Sequence, residues 1–267
     1  MIKLIHSLSK LKILAITLSV NNKLLIIMLC FKCMSPETAK KLLEENKRIY
    51  NEVARDYART REGKWQRLLP LAEYTEDGDK VLDAGCGNGQ VFHIFKDKDV
   101  DYFGIDTSVE MIKLCRERFK DFPRAQFEVG DLLNINFPDN SFNAVYCIAS
   151  MHHIPSNELR IRTISELYRV LKPEGKLIIS NWYYWTWPAI VIILKNWVKK
   201  IMGEDIDFGD IFVPWGKQGL RYYHSFRKNE LKNLLIRTNF KKIKQHLERR
   251  QGDVWGKMIN LITIAGK

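Results

Sequence analysis

Gly85, Gly87 and Gly89 alternate with Cys86 and Asn88 in Lys-Val-Leu-Asp-Ala-Gly-Cys-Gly-Asn-Gly-Gln, residues 80–90 of a 267-residue chain. Glycine tolerates backbone angles closed to other residues, and it lets a ligand lie against the main chain without meeting a Cβ. A helix opening behind such a turn would offer its free N–H groups to that ligand. Three acids could complete the site. Asp83 closes the apolar run before the turn, Asp106 follows Gly104-Ile105 about twenty residues later, and Asp131 follows Gly130. A dinucleotide fingerprint would place its third glycine one position further on, where this chain has Gln90.

The elements that must carry these residues read with the right periods. Val81–Ala84, Val100–Ile105, Gln126–Val129, Phe142–Ile148 and Lys176–Ser180 are short apolar runs of strand type. Between them, apolar positions 109, 111, 112, 114 and 119 give a helical period over Ser108–Lys120, and Ser156–Leu171 reads as a second helix. Pro173-Glu174-Gly175 marks a turn before the last of these strands. Alternation of this kind predicts an α/β fold, a doubly wound and mostly parallel sheet covered on both faces. In such a sheet ligands sit at the carboxyl ends of the strands, where Asp106 would meet a ribose.

As a set, Val-Leu-Asp-Ala-Gly-Cys-Gly-Asn-Gly, Gly-Ile-Asp, Gly-Asp-Leu and Leu-Lys-Pro-Glu-Gly resemble the class I S-adenosylmethionine-dependent methyltransferases over about residues 78–181. The resemblance implies a Rossmann-like fold and S-adenosyl-L-methionine as cofactor. The Gly85–Gly89 backbone would face its methionine part, Asp106 its ribose hydroxyls, and Asp131 with Leu132 its adenine, with Asp83 a further cofactor-binding residue. Capping of the following turn or helix is the ordinary alternative for Asp106 and for Asp131.

The bulk composition suits one such domain. An apolar fraction of 46% supplies a core. Five cysteines, with Cys86, Cys115 and Cys147 inside expected strands and helices, read as reduced thiols of a cytoplasmic protein rather than a disulfide framework. Residues 1–33 read as an extension outside the fold, and residues 34–267 as a single methyltransferase domain. The extension holds five lysines and no acid, and its apolar runs Ile13–Val20 and Leu24–Phe31 are each too short to span a membrane. No stable membrane insertion is expected. Ser35 and Pro36 look like a helix N-cap and first turn. Cys30-x-x-Cys33 lacks a second pair, so no metal site is expected there.

Charge is uneven. Residues 34–194 hold 22 basic and 24 acidic side chains, whereas residues 195–267 hold 16 basic and 7 acidic. A basic sector beside a cofactor domain suits a polyanion such as RNA. Residues 182–228 form an aromatic-rich insert before the last two strands. It runs from Trp182-Tyr-Tyr-Trp185 through an apolar, helix-like segment, 188–202, to Asp210-Ile-Phe-Val-Pro-Trp215 and Arg221-Tyr-Tyr-His-Ser-Phe226. Stacking and hydrogen bonding from a polar-aromatic string can read unpaired bases, although packed aromatics are more often core.

Val-Pro-Trp followed by Arg-Tyr-Tyr-His-Ser-Phe, the segment Ile49–Arg61, Trp65, and Ser150-Met-His-His-Ile154 resemble the wobble-uridine tRNA carboxyl methyltransferases over about residues 46–267. The resemblance implies esterification of a 5-carboxymethyl group on the first anticodon uridine. It also implies, for many members, a small zinc-binding activator subunit on the sheet's edge. A carboxylate is ionised at neutral pH and needs positioning more than a base. Arg61, Arg221 and His224 are candidates to anchor it, Tyr223 to stack on the uracil, and His152 to line the transfer site; a structural role fits either His152 or His153 equally. Two other readings keep the same core. One is a small-molecule methyltransferase, acting on a quinone precursor or a carboxylic acid metabolite, with residues 182–226 as an apolar lid. The other is a cofactor-fold protein retained as a scaffold, which the intact glycine turn and its acids disfavour.

Overall fold

The computed structural model describes residues 2–8, 11–20, 23–61, 63–186, 190–215, 218–249 and 259–267, with side chains from residue 33 onward except 64 and 65. Trp187, Pro188, Arg250 and the side chains of Cys30 and Trp65 lie outside them. Strands β1 (Ile2–Leu8), β2 (Leu11–Val20) and β3 (Lys23–Lys32) pair antiparallel as a separate three-stranded sheet. Helix α1 (Pro36–Arg61) then begins at Ser35, whose Oγ accepts from Thr38 N at 3.2 Å.

The main sheet grows from the apolar runs. In chain order it takes up β4 (Lys80–Ala84), β5 (Asp101–Asp106), β6 (Ala125–Val129), β7 (Phe142–Ile148) and β8 (Leu171–Tyr183). Helices α2 (Val109–Arg118) and α3 (Asn157–Val170) cross between strands. The insert contributes α4 (Ile190–Ile201) and a separate hairpin of β9 (Asp210–Pro214) and β10 (Leu220–His224). Helix α5 (Lys228–Arg237) leads to β11 (Lys241–Arg249) and β12 (Ile259–Gly266). The strand order is β11-β12-β8-β7-β4-β5-β6. From β8 to β6 every pairing is parallel, and β12 runs antiparallel to both of its neighbours. The expected doubly wound α/β sheet is the one observed.

Two local expectations are corrected. No full helix follows the glycine turn; the chain makes only a 3₁₀ turn at Val91–Ile94. Bonds of the i→i+3 kind run Phe92 N to Gly89 O, Phe95 N to Phe92 O and Lys98 N to Phe95 O, at 2.9–3.2 Å. The reason is spacing. Val91 with Ile94 and Phe92 with Phe95 are apolar pairs three apart and all four are buried, which suits three residues per turn. The Pro173-Glu174-Gly175 turn is likewise absorbed into β8 as an irregularity, Phe142 pairing with Leu171 but Ala144 with Lys176. Glu174 takes φ +63° there.

Beneath the hairpin lies a buried ionic cluster. Arg160 on α3 is wholly buried and meets Asp207 and Asp210 at 3.3 Å each, and its Nη2 donates to Tyr222 Oη at 2.7 Å. Tyr222 donates in turn to Asp210 at 2.7 Å. His224 places Nδ1 2.8 Å from Asp210 and Nε2 2.9 Å from Glu230. Removing one partner of such a cluster strands the others' charge in the interior, at a cost of about 3–5 kcal/mol. Arg160→Ala is therefore expected to lower unfolding free energy by about that amount, read from urea denaturation. An unchanged denaturation midpoint would show that the cluster contributes nothing net.

Candidate active site

A cavity of about 480 Å³ opens at the carboxyl ends of β4, β5 and β7, within the range of small-molecule sites. Its floor is Gly85, Cys86, Gly87 and Asn88, and its walls include Asp106, Asp131, Leu132 and Ala149–Ser150. Gly85, Gly87 and Gly89 all take positive φ, but their surroundings differ. A Cβ on Gly85 would come within 2.4 Å of Ser150 Oγ, and one on Gly89 within 2.5 Å of the Phe119 ring. At Gly87 nothing lies within 4 Å, so this is the glycine over which a ligand has room. Ala149 takes φ +55° where β7 ends, and Ser150 beyond it donates to Gly85 O at 2.8 Å.

Asp106 holds the turn in shape. Its Oδ2 accepts from Gly87 N at 2.9 Å and its Oδ1 from Ser108 N at 2.8 Å. Burial raises its pKa, and those two backbone donors pull against the rise. Asp83 sits apart from the cavity walls, fully buried, and accepts from the Tyr102 hydroxyl at 2.5 Å. Burial lifts its pKa to about 7, with Tyr102 opposing and Asp106 adding to the rise. Asp83 and Gly89 thus shape the turn from behind, whereas Gly85, Gly87, Asp106, Asp131 and Leu132 reach the cavity.

The opposite wall comes from α1. Leu43, Asn46, Lys47, Tyr50, Tyr57 and Arg61 recur at helical spacing and all face the cavity. Arg221 Nη1 donates to Tyr50 Oη at 3.3 Å, and Tyr50 Oη lies 2.9 Å from His153 Nε2. His153 Nδ1 lies 3.0 Å from the Tyr222 carbonyl. A carbonyl can only accept, so Nδ1 carries the proton and Nε2 accepts from Tyr50. The bonds form a closed ring, because Tyr222 is the next residue after Arg221. Burial drives His153 down to about 3 and Tyr50 up to about 12, so both stay neutral at physiological pH.

The structure redistributes the residues singled out in the sequence. Arg61 lines the cavity, its guanidinium 4.9 Å from the Tyr57 ring centroid. His152 does not. It is buried behind the wall, 4.9 Å from the Tyr223 ring and 5.5 Å from Trp182, and burial pushes its pKa well down. Its neighbour His153 is the histidine that reaches the cavity. Arg221 is buried one layer back, 4.0 Å over Trp215 and 5.2 Å from Tyr223. Tyr223 stacks on Trp182 at 5.0 Å and is itself buried, so its ring is closed to a base in this conformation. His224 belongs to the Arg160 cluster. The cause is strand periodicity: in β10, Arg221 and Tyr223 point to one face and Tyr222 and His224 to the other. Asn46, Tyr50 and Tyr57 were missed, although their spacing along α1 was readable.

Comparison with known proteins identifies the domain. Residues 81–175 match the family described as a methyltransferase domain. A solved S-adenosylmethionine-dependent methyltransferase of Methanosarcina mazei superposes with a TM-score of 0.63 at 23% identity, covering 74% of this chain and 96% of that one. Residues 81–175 thus form a methyltransferase domain, and the sheet that carries them has the fold of that solved methyltransferase. The site fits S-adenosylmethionine: the open face of Gly87, the Asp106 carboxylate and the apolar Leu132 line the same cavity. The tRNA (carboxymethyluridine(34)-5-O)-methyltransferase ALKBH8 of Mus musculus is 33% identical over 179 residues, 65% of this chain and 25% of that protein. The chain thus spans about a quarter of that curated relative's length. A chain from the complex of the Haloferax volcanii Trm112 methyltransferase activator with a methyltransferase shares the fold, with a TM-score of 0.59 at 19% identity over 83% of this chain and 96% of that one.

Gly87→Ala of the methyltransferase domain should weaken S-adenosylmethionine binding at least tenfold by calorimetry, since the added methyl projects into the cavity from a left-handed backbone. Unaltered affinity would move the cofactor off this turn. The histidines set a pH dependence of opposite signs. His153, held neutral to about 3, withholds stability as pH falls below its ordinary 6.5, where the unfolded chain binds the proton and the folded one does not. Burial and Arg160 both oppose a charge on His224, yet Glu230 and Asp210 outweigh them and raise its pKa. Its contribution is present below the ordinary histidine value and is lost as pH rises through the raised one. Thermal unfolding across pH should show the acid-side loss flatten in His153→Gln and the alkaline-side loss flatten in His224→Gln.

Proposed function

We propose that the protein transfers a methyl group from S-adenosylmethionine to the carboxylate of a 5-carboxymethyl group on the wobble uridine in a tRNA anticodon loop, forming the methyl ester. The observation that carries this reading is the match to the carboxymethyluridine methyltransferase of mouse, which extends beyond the cofactor core. Support comes also from the hairpin motif. Asp210–Pro214 and Leu220–His224 pair across β9 and β10 and close the wall behind Tyr50 and His153.

The bound cofactor supplies an electrophilic methyl group on a sulfonium. Gly85–Asn88 would hold its methionine part, Asp106 its ribose, and Asp131 with Leu132 its adenine. What the chain must do for the acceptor is bind a carboxylate and keep it oriented. Arg61 and Arg67 on the cavity wall, with Lys40 and Lys47 on α1, present positive charge to that carboxylate and to the flanking phosphates. Arg221 acts through Tyr50, fixing the phenol from behind. Because His153 has Nδ1 on a carbonyl and Nε2 on a phenol, it has no nitrogen free to act as a base. A carboxylate acceptor needs none.

Tyr50→Phe removes the hydroxyl that links Arg221 to His153 and should lower kcat/KM for tRNA at least tenfold, about 1.4 kcal/mol of transition-state stabilisation, with cofactor affinity unchanged. Arg221→Ala should do the same and also lower stability. The direct test is nucleoside mass spectrometry of tRNA from cells lacking the protein. Accumulated carboxymethyluridine supports the assignment. In a transfer assay with a labelled methyl donor, label in a lipid extract and not in bulk tRNA would move the assignment to a small-molecule acceptor. A zinc-binding activator is proposed on the same footing, and retention of full activity by the purified chain alone would dispense with it.

A further inference from the structure

Helix α4 carries an apolar surface that the methyl-transfer site does not use. Its inner face is Ile193, Asn196, Trp197 and Lys200: Ile193 is buried against the hairpin, Asn196 donates to Asp210 O at 3.0 Å, and Lys200 bonds the Ile206 carbonyl. Val191, Leu194, Val198 and Ile201 fall on the opposite face at spacings of three and four, and Met202 continues the stripe. These five are 42–80% exposed, on a helix of 12 residues. Isolated exposed apolar residues are ordinary, but a contiguous stripe of this kind marks a contact surface.

The borders of the stripe indicate the occupant. Lys195 and Lys199 flank one side and are exposed. On the other side Trp197 meets Phe208, and Arg227 lies 4.9 Å over Phe208 and 5.2 Å over Trp185. Glu204, 3.7 Å from Lys199, is the acid at the helix end, and no Asp or Glu occurs from Leu177 to Gly203. Apolar residues in the centre with lysine on one border and tryptophan and arginine on the other suit a helix lying in the headgroup layer of an anionic bilayer. At about 1.5 Å per residue the helix is far too short to cross one, and among the described residues no helix is long and apolar enough to do so. A second copy of this surface would bring lysines against lysines.

We propose that the outer face of α4 is a peripheral membrane-binding surface selective for anionic lipids. The test uses the full chain, sedimented with vesicles of phosphatidylcholine alone or with phosphatidylglycerol added. Binding is expected to the mixed vesicles only, with a blue shift of tryptophan fluorescence and weakening as salt is raised. The double variant Leu194→Gln/Val198→Gln should bind at least tenfold more weakly, and Lys195→Glu severalfold more weakly. Cofactor affinity measured on each variant serves as the check on folding, since none of these side chains lines the cavity. Absence of vesicle binding, or binding that the double variant retains, overturns the proposal. So does a concentration-dependent doubling of mass that the same variant abolishes, which would give the face to a second copy, or stoichiometric capture of an acidic protein with no vesicle binding.

Discussion

Burying the Arg160 guanidinium under the hairpin commits the rest of the substrate wall to one arrangement. A charge without solvent has to be surrounded by partners, and Asp207, Asp210 and Tyr222 are drawn in to supply them. Once Tyr222 turns inward, strand alternation turns Arg221 and Tyr223 the other way, toward α1 and the histidine pair. The Tyr222 main chain is then held by Asn46, whose Oδ1 accepts from Tyr222 N at 3.0 Å while its Nδ2 donates to Tyr222 O at 3.2 Å. A buried ion cluster that does not line this cavity therefore sets the register in which α1, the hairpin and His153 meet.

The cofactor side is held differently. Its turn depends on two backbone N–H groups that converge on Asp106, one from the glycine turn and one from the start of α2. Because β4 and β5 run parallel and adjacent, their carboxyl ends lie side by side, and one carboxylate can span both exits. The carboxylate thus performs the capping expected of any aspartate while standing on the wall where a ribose would bind. Capping and ligand recognition are compatible, since an ionised carboxylate has about four lone-pair sites.

The sequence made the fold legible wherever the pattern was local and strongly apolar. Parallel strands such as Phe142–Ile148 are buried on both faces and read as continuous runs, and the helices beyond Ser108 and Ser156 were readable too, each serine capping its helix in the structure. The 3₁₀ turn at Val91–Ile94 was obscured because so short a segment, with three apolar residues around His93, fits either helical period. In the site, Gly85, Gly87 and Asp106 were readable from spacing alone. Arg221–His224 were readable as a motif but not as an arrangement, because stacking and base reading had been assigned to the string as a whole. Only pairing with Asp210–Pro214 reveals which alternate residues share a face. His152 and His153 could not be separated by any local signal; a 3₁₀ turn, Met151–His153, decides which ring reaches the cavity.

The electrostatics of the finished site bear on the acceptor. A nucleophile that must lose a proton, such as an amine or a hydroxyl, needs a group able to take it. At the buried end of the cavity the candidate acceptors are already committed. Both oxygens of Asp106 hold backbone N–H groups, both nitrogens of His153 are engaged, and burial keeps the Tyr50 phenol protonated. Glu44 and Asp131 also line the cavity, and both are exposed. A buried end without a spare base is poorly suited to neutral nucleophiles, and the lining cations Lys40, Lys47, Arg61 and Arg67 suit an acceptor that arrives ionised. Such a site would lower the barrier by orientation and by exclusion of water, the terms that an ionised carboxylate attacking an activated methyl requires.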